Sequence, residues 1–257
     1  MPLPSAADLL PLVTEAGEIA RSHFRNVAAE RKADRTIVTA ADRAVETFLV
    51  ERLSELLPDI RLLGEEFGAS GPEDAECTLT IDPIDGTAAF VAGLPTWCVT
   101  LGWVTNGVAQ GGVTYLPMTG ETYVADGGRA SWNGRTIPKG PRTLPEGDQF
   151  IVTYSGYHRR AAAAFAGKVR SLGSTAYHLA LVARGAATGA LLGRPHIWDI
   201  TAGAALLAAV GGELRYRSGS PVALEDMLDG RSAPDHVVGA APGALDDVLA
   251  LVPPPAP

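Results

Sequence analysis

Strand-like and helix-like patterns are mixed in both halves of the sequence, which predicts an α/β (α+β) layered enzyme fold rather than a helix bundle or a β-sandwich. Apolar residues recur at helical spacing up to Leu56. Short apolar runs punctuated by Gly, Asn and Pro follow as far as Asn133, and the two patterns alternate from Phe150 onward. The first helix is capped by Ser5, with Asp8 three residues later, and carries Leu9, Leu12, Val13, Ala16, Ile19, Ala20 and Phe24. A second starts at Thr39 and presents Val45, Phe48, Leu49, Leu53 and Leu56 on one face until Pro58 stops it. Ile60 to Leu63 and Cys77 to Ile81 read as strands that run straight into acidic residues. Trp97 to Val104 and Val108 to Tyr115 flank Asn106-Gly107, the pair that a tight hairpin demands. A second such pair, Asn133-Gly134, follows a strand around Glu121 to Ala125.

Pro138 to Asp148 is rich in Pro, Gly and charge and marks a subdomain boundary, giving units 1–140 and 141–257. Beyond it, Phe150 to Tyr154 is strand-like, Arg159 to Val169 helical and Thr175 to Arg184 helical. Ala187 to Leu192 is strand-like, and Asp199 to Val210 is a helix closed by Gly211-Gly212. Val237 to Ala241 is a late strand, and Pro253 to Pro255 a frayed tail.

The chain has 257 residues, 46% hydrophobic and 19% charged, enough for a substantial core and incompatible with global disorder. Its 21 Lys and Arg against 29 Asp and Glu leave a net charge of −8, which argues against a nucleic-acid polymer or an anionic membrane as partner. Cys77 and Cys98 cannot supply a disulfide framework or a Cys-rich zinc site. The first residues lack a basic n-region and no apolar run approaches the ~20 residues of a membrane span, so a soluble, cytoplasmic protein is expected.

Three acidic clusters sit where a regular element starts or ends: Gly64-Glu65-Glu66, Asp82-Pro83-Ile84-Asp85-Gly86-Thr87, and Trp198-Asp199. Pro83 donates nothing to a sheet ladder, so the chain is expected to leave the sheet there, aiming Asp82 and Asp85 at one point and exposing the Ile84 carbonyl. Carboxylate and carbonyl oxygens suit Mg²⁺ or Mn²⁺, whereas zinc calls for His or Cys. Gly86 permits close backbone approach, and the first amides of a helix beginning at Thr87 favour a phosphate. Acidic groups gathered round a phosphate require cations between them, which points to metal-dependent hydrolysis of a phosphate ester.

Each cluster taken alone has a plainer explanation. Asp85-Gly86 is an ordinary turn pair, and Glu65-Glu66 a solvated pair. Thr39 and Asp42 are spaced as a capping box, Asp199 favours the positive end of its helix, and Trp198 is a core residue. The coincidence of four acidic sites, each at an element boundary, favours the catalytic reading.

At these residues the sequence resembles the inositol monophosphatase superfamily of Mg²⁺-dependent, lithium-sensitive phosphatases, from about the first helix to Ala241. The matching segments are Val38 to Asp42, Leu63 to Glu66, Ile81 to Thr87 and Trp198 to Gly203, with weaker agreement at Ser131 to Gly134 and Gly173-Ser174. The resemblance implies a layered α-β-α-β-α sandwich, usually a homodimer, with Mg²⁺ as cofactor, two or three ions per site, and Mn²⁺ as a substitute. It implies that Glu65, Asp82 and the Ile84 carbonyl hold an activating ion, and that Asp82, Asp85 and Asp199 hold a second. Thr87, paired with Asp42, would orient and deprotonate the attacking water, and amides of Gly86, Thr87 and Ala88 would bind phosphate. On this reading most metal ligands fall in 1–140, while Asp199 and the substrate-side positions Gly173, Ser174 and Leu192 fall in 141–257. The substrate implied is a small polyol, sugar or amino-alcohol phosphate.

Departures from the family pattern bear on the leaving group. Ala88-Ala89 stand where relatives have a polar residue and then Asn or Glu, and a Lys at the first position is typical of bisphosphate nucleotidases and histidinol-phosphate phosphatases. Leu192 aligns with a Glu that meets substrate hydroxyls or amine in inositol and histidinol phosphatases, and an apolar residue there forfeits discrimination. Gly64 to Gly68 looks most like the histidinol-phosphate branch. Those two activities and a non-catalytic metal- and phosphate-binding relative are the alternatives. An aspartyl-nucleophile phosphatase wants Asp-x-Asp, a P-loop hydrolase wants its Gly-Lys-Ser/Thr, and a serine hydrolase its Gly-x-Ser-x-Gly elbow; none of these patterns is present.

Overall fold

The computed structural model describes residues 3–32, 36–141, 148–157 and 167–251. Two helices come first in the main body: α1 (Ala6–His23), capped by Ser5, and α2 (Ala40–Leu56), capped by Thr39. A small hairpin of β1 (Ala29–Arg31) and β2 (Ile37–Thr39) joins them, an element that the polar, irregular sequence there does not announce.

An eight-stranded sheet follows. It comprises β3 (Arg61–Gly64), β4 (Gly68–Ser70), β5 (Cys77–Asp85), β6 (Cys98–Thr105), β7 (Val108–Leu116), β8 (Glu121–Asp126), β9 (Arg129–Trp132) and β10 (Arg135–Ile137). Their spatial order is β10-β9-β8-β7-β6-β5-β3-β4. The β6–β7 and β9–β10 turns are built on Asn106-Gly107 and Asn133-Gly134, all four residues at positive φ as a type I′ turn requires. Strand β5 is buried at every position and continues through the Asp-Pro-Ile-Asp segment, contrary to the expectation that the chain leaves the sheet at Pro83. The ladder to β6 pairs Asp82 with Thr100 and resumes at Asp85 with Cys98. One extra residue on β5 thus forms a bulge that absorbs the proline's missing donor.

The second sheet has the order β12-β11-β13-β15-β14. Its members are β11 (Phe150–Thr153), β12 (Lys168–Arg170), β13 (Gly189–Leu191), β14 (Glu213–Tyr216) and β15 (Val237–Ala240). Strand β12 corrects the helix expected up to Val169: Lys168 and Val169 pair in parallel with Phe150 and Ile151, so the ladder at this exposed edge overrides the helical pattern. Positions 159–166 of that expected helix, 142–147 of the expected boundary and the Pro253–Pro255 tail lie outside the described residues.

Between the sheets lie α4 (Thr175–Ala183) and α5 (Ile197–Val210), both apolar nearly all round, as helices covered on two sides must be. The α5 helix begins two residues before Asp199 and ends at Gly211, whose φ of 84° makes the left-handed cap. A short α3 (Thr87–Val91) follows β5, and α6 (Leu245–Leu249) covers the outer face of the second sheet. The layers are therefore α1 and α2, large sheet, α4 and α5, small sheet, α6. One core lies between α1, α2 and the large sheet, and a second between the two sheets. Among the described residues no helix is long and apolar enough to cross a membrane.

Candidate functional site

Parallel pairing of β3 with β5 sets Gly64 beside Ile81 at one edge of the large sheet, where β3 ends and β5 runs on to Asp85. Glu65 is thereby placed next to Asp82, and its amide donates to the Ile81 carbonyl at 3.2 Å. Past the bulge, Gly86 turns the chain into α3 with φ of 96°, a conformation that L side chains resist. A Cβ there would also meet the Gly173 carbonyl oxygen at 3.0 Å.

Three other helices aim their N-termini at this edge. Asp42 sits in the first turn of α2, where its Oδ2 accepts from the Thr39 amide and hydroxyl, both at 2.7 Å. Its Oδ1 accepts from the Thr87 hydroxyl at 3.2 Å, and that hydroxyl also lies 3.1 Å from the Ile84 carbonyl. Asp42 therefore both caps its helix and faces Thr87. Asp85 accepts from the Thr175 amide at 3.1 Å, the Ala176 amide at 2.7 Å and the Ser174 hydroxyl, which fastens it to the start of α4. Asp199 occupies the first turn of α5 and accepts from the His196 amide at 2.7 Å. Each helix N-terminus supplies partial positive charge to a carboxylate that burial would otherwise penalise.

Carboxylate oxygens of Asp82, Asp85 and Asp199 all lie within 4.8 Å of one another. They open into a cavity of about 510 Å³ lined also by Lys32, Glu65, Ile84, Gly86, Thr87, Ala88, Gly173, His196 and Trp198. Glu65 shares the cavity, with its Oε1 3.1 Å from the Lys32 ammonium, which also holds Glu66 at 2.6 Å. Burial pushes the Asp82 carboxyl well above the usual carboxylate range, reinforced by the charges of Glu65, Asp85 and Asp199. Asp199 is raised in the same way, by burial and then by Asp85 and Glu65. Burial lifts Glu65 to about 7 against the opposing pull of Lys32. Asp85 and Asp42 are also raised by burial, with their hydrogen bonds acting in the other direction.

Asp82 Oδ1 is buried and has no hydrogen-bond partner. An orphaned carboxyl oxygen among mutually repelling acidic groups, with no His or Cys in the cluster, fits a hard divalent cation.

The substrate-side positions separate. Gly173 lines the cavity, while Ser174 is buried beneath Asp85 and caps α4. Leu192 is buried in the inter-sheet core and is not among the cavity-lining residues. Lys32, His196 and Glu46 were not foreseen from the sequence. His196 stacks on Trp198 with centroids 4.7 Å apart, and its Nδ1 lies 2.9 Å from the Gly230 carbonyl. Glu46 is fully buried one turn after Asp42, and the Asp42–Glu46 spacing on an otherwise apolar stripe is the signal that could have found it.

The model of the inositol monophosphatase family matches residues 6–249. The inositol-1-monophosphatase ImpA of Mycolicibacterium smegmatis is 35% identical over 239 residues, covering 88% of this chain and 83% of that protein. A solved IMPase of Thermotoga maritima superposes with a TM-score of 0.79 at 26% identity, over 95% of each chain. An IMPase/NADP phosphatase solved with Mg²⁺ and phosphate shares the fold, with a TM-score of 0.79 at 19% identity, over 95% of this chain and 93% of that one.

Proposed function

The chain belongs to the inositol monophosphatase family and is a phosphoric monoester hydrolase, and from that premise we propose that it hydrolyses a small polyol, sugar or amino-alcohol phosphate with Mg²⁺ as cofactor. The observation that carries the proposal is the cluster of buried Asp82 and Asp85 with half-buried Asp199, its partnerless Asp82 oxygen, and beside it the Thr87–Asp42 hydrogen bond. A relative of the same fold solved with Mg²⁺ and phosphate supports the choice of ion.

In this reading Glu65, Asp82 and the Ile84 carbonyl hold one ion, and Asp82, Asp85 and Asp199 a second. When bound, such ions supply Lewis acidity toward phosphoryl oxygens and make a water more acidic. The chain's own residues do the rest. Gly86, Thr87 and Ala88 line the cavity, and the first-turn amides of α3 have no helical partners, which suits them to receive phosphate oxygens. Thr87 lines the cavity with its single hydrogen directed at Asp42 or the Ile84 carbonyl, which leaves its lone pairs to accept a proton from the attacking water. As that proton arrives, the Thr87 hydrogen passes to Asp42 Oδ1, a carboxyl whose burial favours the protonated form. The water oxygen bonds to phosphorus, the ester P–O bond breaks, and alcohol and inorganic phosphate are the products. Leu192 lies in the inter-sheet core and outside the cavity lining, so in this reading discrimination falls to residues that do line it, His196 and Trp198 among them.

The test is phosphate release over a panel of polyol, sugar, amino-alcohol and nucleoside phosphates, with and without Mg²⁺. Release that requires Mg²⁺ and spans the small polar esters is the predicted result. Activity undiminished by thorough chelation defeats the metal reading, and silence across the panel favours a binding protein.

A further inference from the structure

We propose that Glu46 is the positioning residue for Glu65, holding the loop that carries it at the distance from Asp82 that a shared cation needs; this rests on the metal reading above. Strands β3 and β4 pair Gly64 with Gly68, so Glu65, Glu66 and Phe67 form a three-residue connection in which the Glu65 amide still bonds the Ile81 carbonyl while the Glu66 and Phe67 amides point away from the ladder. Apolar packing does not anchor this loop, because Phe67 is 54% exposed. Beyond the Glu65 amide bond to Ile81 and the Lys32 ion pairs with Glu65 and Glu66, the buried Glu46 carboxylate holds the loop's backbone. One oxygen, Oε2, accepts from the Glu66 amide at 2.9 Å, and Oε1 accepts from the Phe67 amide at 2.8 Å. Two amides shared between two oxygens fix the loop in translation and in rotation, as a single bond cannot.

Gly64 completes the device. A Cβ on Gly64 would lie 2.0 Å from Glu46 Oε1, and the three nearest atoms to it all belong to the Glu46 carboxylate. Glycine is thus required by the glutamate, since Gly64 is not among the glycines with positive φ. The same helix supplies both sides of the cavity: Asp42, in the first turn of α2, meets Thr87, and Glu46, one turn on, meets the Glu65 loop. A rigid α2 therefore sets the span between the Thr87 side and the Glu65 side.

The relation predicts a pattern that a merely structural residue would not give. In the full-length protein, Glu46→Ala and Gly64→Ala should each weaken Mg²⁺ binding, read by calorimetric titration, by about tenfold or more, as loss of an outer partner of a metal ligand does. Adding Gly64→Ala to Glu46→Ala should cost less than about twofold more, because the new methyl occupies space already vacated. Glu46→Gln, which keeps one acceptor, should fall between, and kcat should drop more than the KM for the ester rises. Amide exchange across 65–68 in metal-free protein should quicken in every variant, a readout independent of activity.

Independent, additive losses from Gly64→Ala and Glu46→Ala, or wild-type Mg²⁺ affinity in a folded Glu46→Ala protein, overturn the proposal. Should Glu46→Ala fail to fold, Glu46→Gln and Gly64→Ala carry the same comparison. A wild-type protein that takes up no Mg²⁺ refutes the parent reading and this one together, whereas a wild type that binds, with variants that bind equally, refutes this one alone.

Discussion

His178 makes the site's loop acid-sensitive in a way that can be calculated. It lies in α4, is 2% exposed, and its Nε2 accepts from the Leu172 amide at 3.1 Å, so this nitrogen carries no proton. Burial lowers its pKa from 6.5 to about 4. The folded state thus binds this proton less readily than the unfolded chain does. The group's contribution to stability is complete above about pH 6.5 and is lost as pH falls toward about 4. Between about pH 7.5 and about pH 5, that linkage removes about 2 kcal/mol from the wild type. The assay is urea unfolding at both pH values, in chelator, for wild type and His178→Gln, whose amide oxygen can accept from Leu172 but does not titrate. The wild type should lose about 2 kcal/mol more than the variant over this interval, or roughly 4–8 °C in Tm. Packing offsets of the substitution cancel, because each protein is compared with itself. Equal pH dependence in the two proteins, within about 0.5 kcal/mol, would refute a neutral, loop-holding His178. The loop matters to function because Leu172 also accepts from the Thr96 hydroxyl at 2.6 Å, and Gly173 abuts the Gly86 turn.

Asp82→Asn should abolish most turnover, by at least about a hundredfold in kcat, since outer partners of metal ligands alone are worth up to that much. The same change should stabilise the metal-free protein in a chelated melt, because it removes an ionisable group that burial and the charges of Glu65, Asp85 and Asp199 oppose. The raised pKa of Asp82 gives the sign: metal-free stability is lost as pH rises through it, and the Asn protein should lose less. Gly86→Ala should cost about 1–2 kcal/mol in unfolding free energy, from the positive φ. It should also weaken competitive inhibition by inorganic phosphate; inhibition unchanged in that variant would remove the Gly86 turn from the phosphate site.

The parts of the fold legible in the sequence were those governed by local rules. Ser5, Thr39 and Gly211 announce helix ends through capping, and the two Asn-Gly pairs announce hairpins, because these depend on a few neighbouring backbone groups. Asp82, Asp85 and Asp199 were legible as a set through the resemblance and their place at element boundaries, and the structure brings those three together. Positions fixed by distant partners were not legible. Strand β12 exists through its pairing with β11, and β5 passes Pro83 because a bulge against Cys98 and Thr100 lets it. Glu46 reads as a polar interruption in an amphipathic helix until a turn some twenty residues later supplies the two amides that it accepts from. Asp85 similarly reads as half of a turn pair, although its oxygens cap a helix that begins ninety residues on.

The most direct measurement is calorimetric titration of Mg²⁺ into metal-stripped protein, run beside Asp82→Asn. Saturable binding by the wild type, with release of protons as the buried carboxyls ionise and with loss of that binding in the Asn protein, is the predicted result. Absence of binding by the wild type, or identical isotherms for the two proteins, would contradict it.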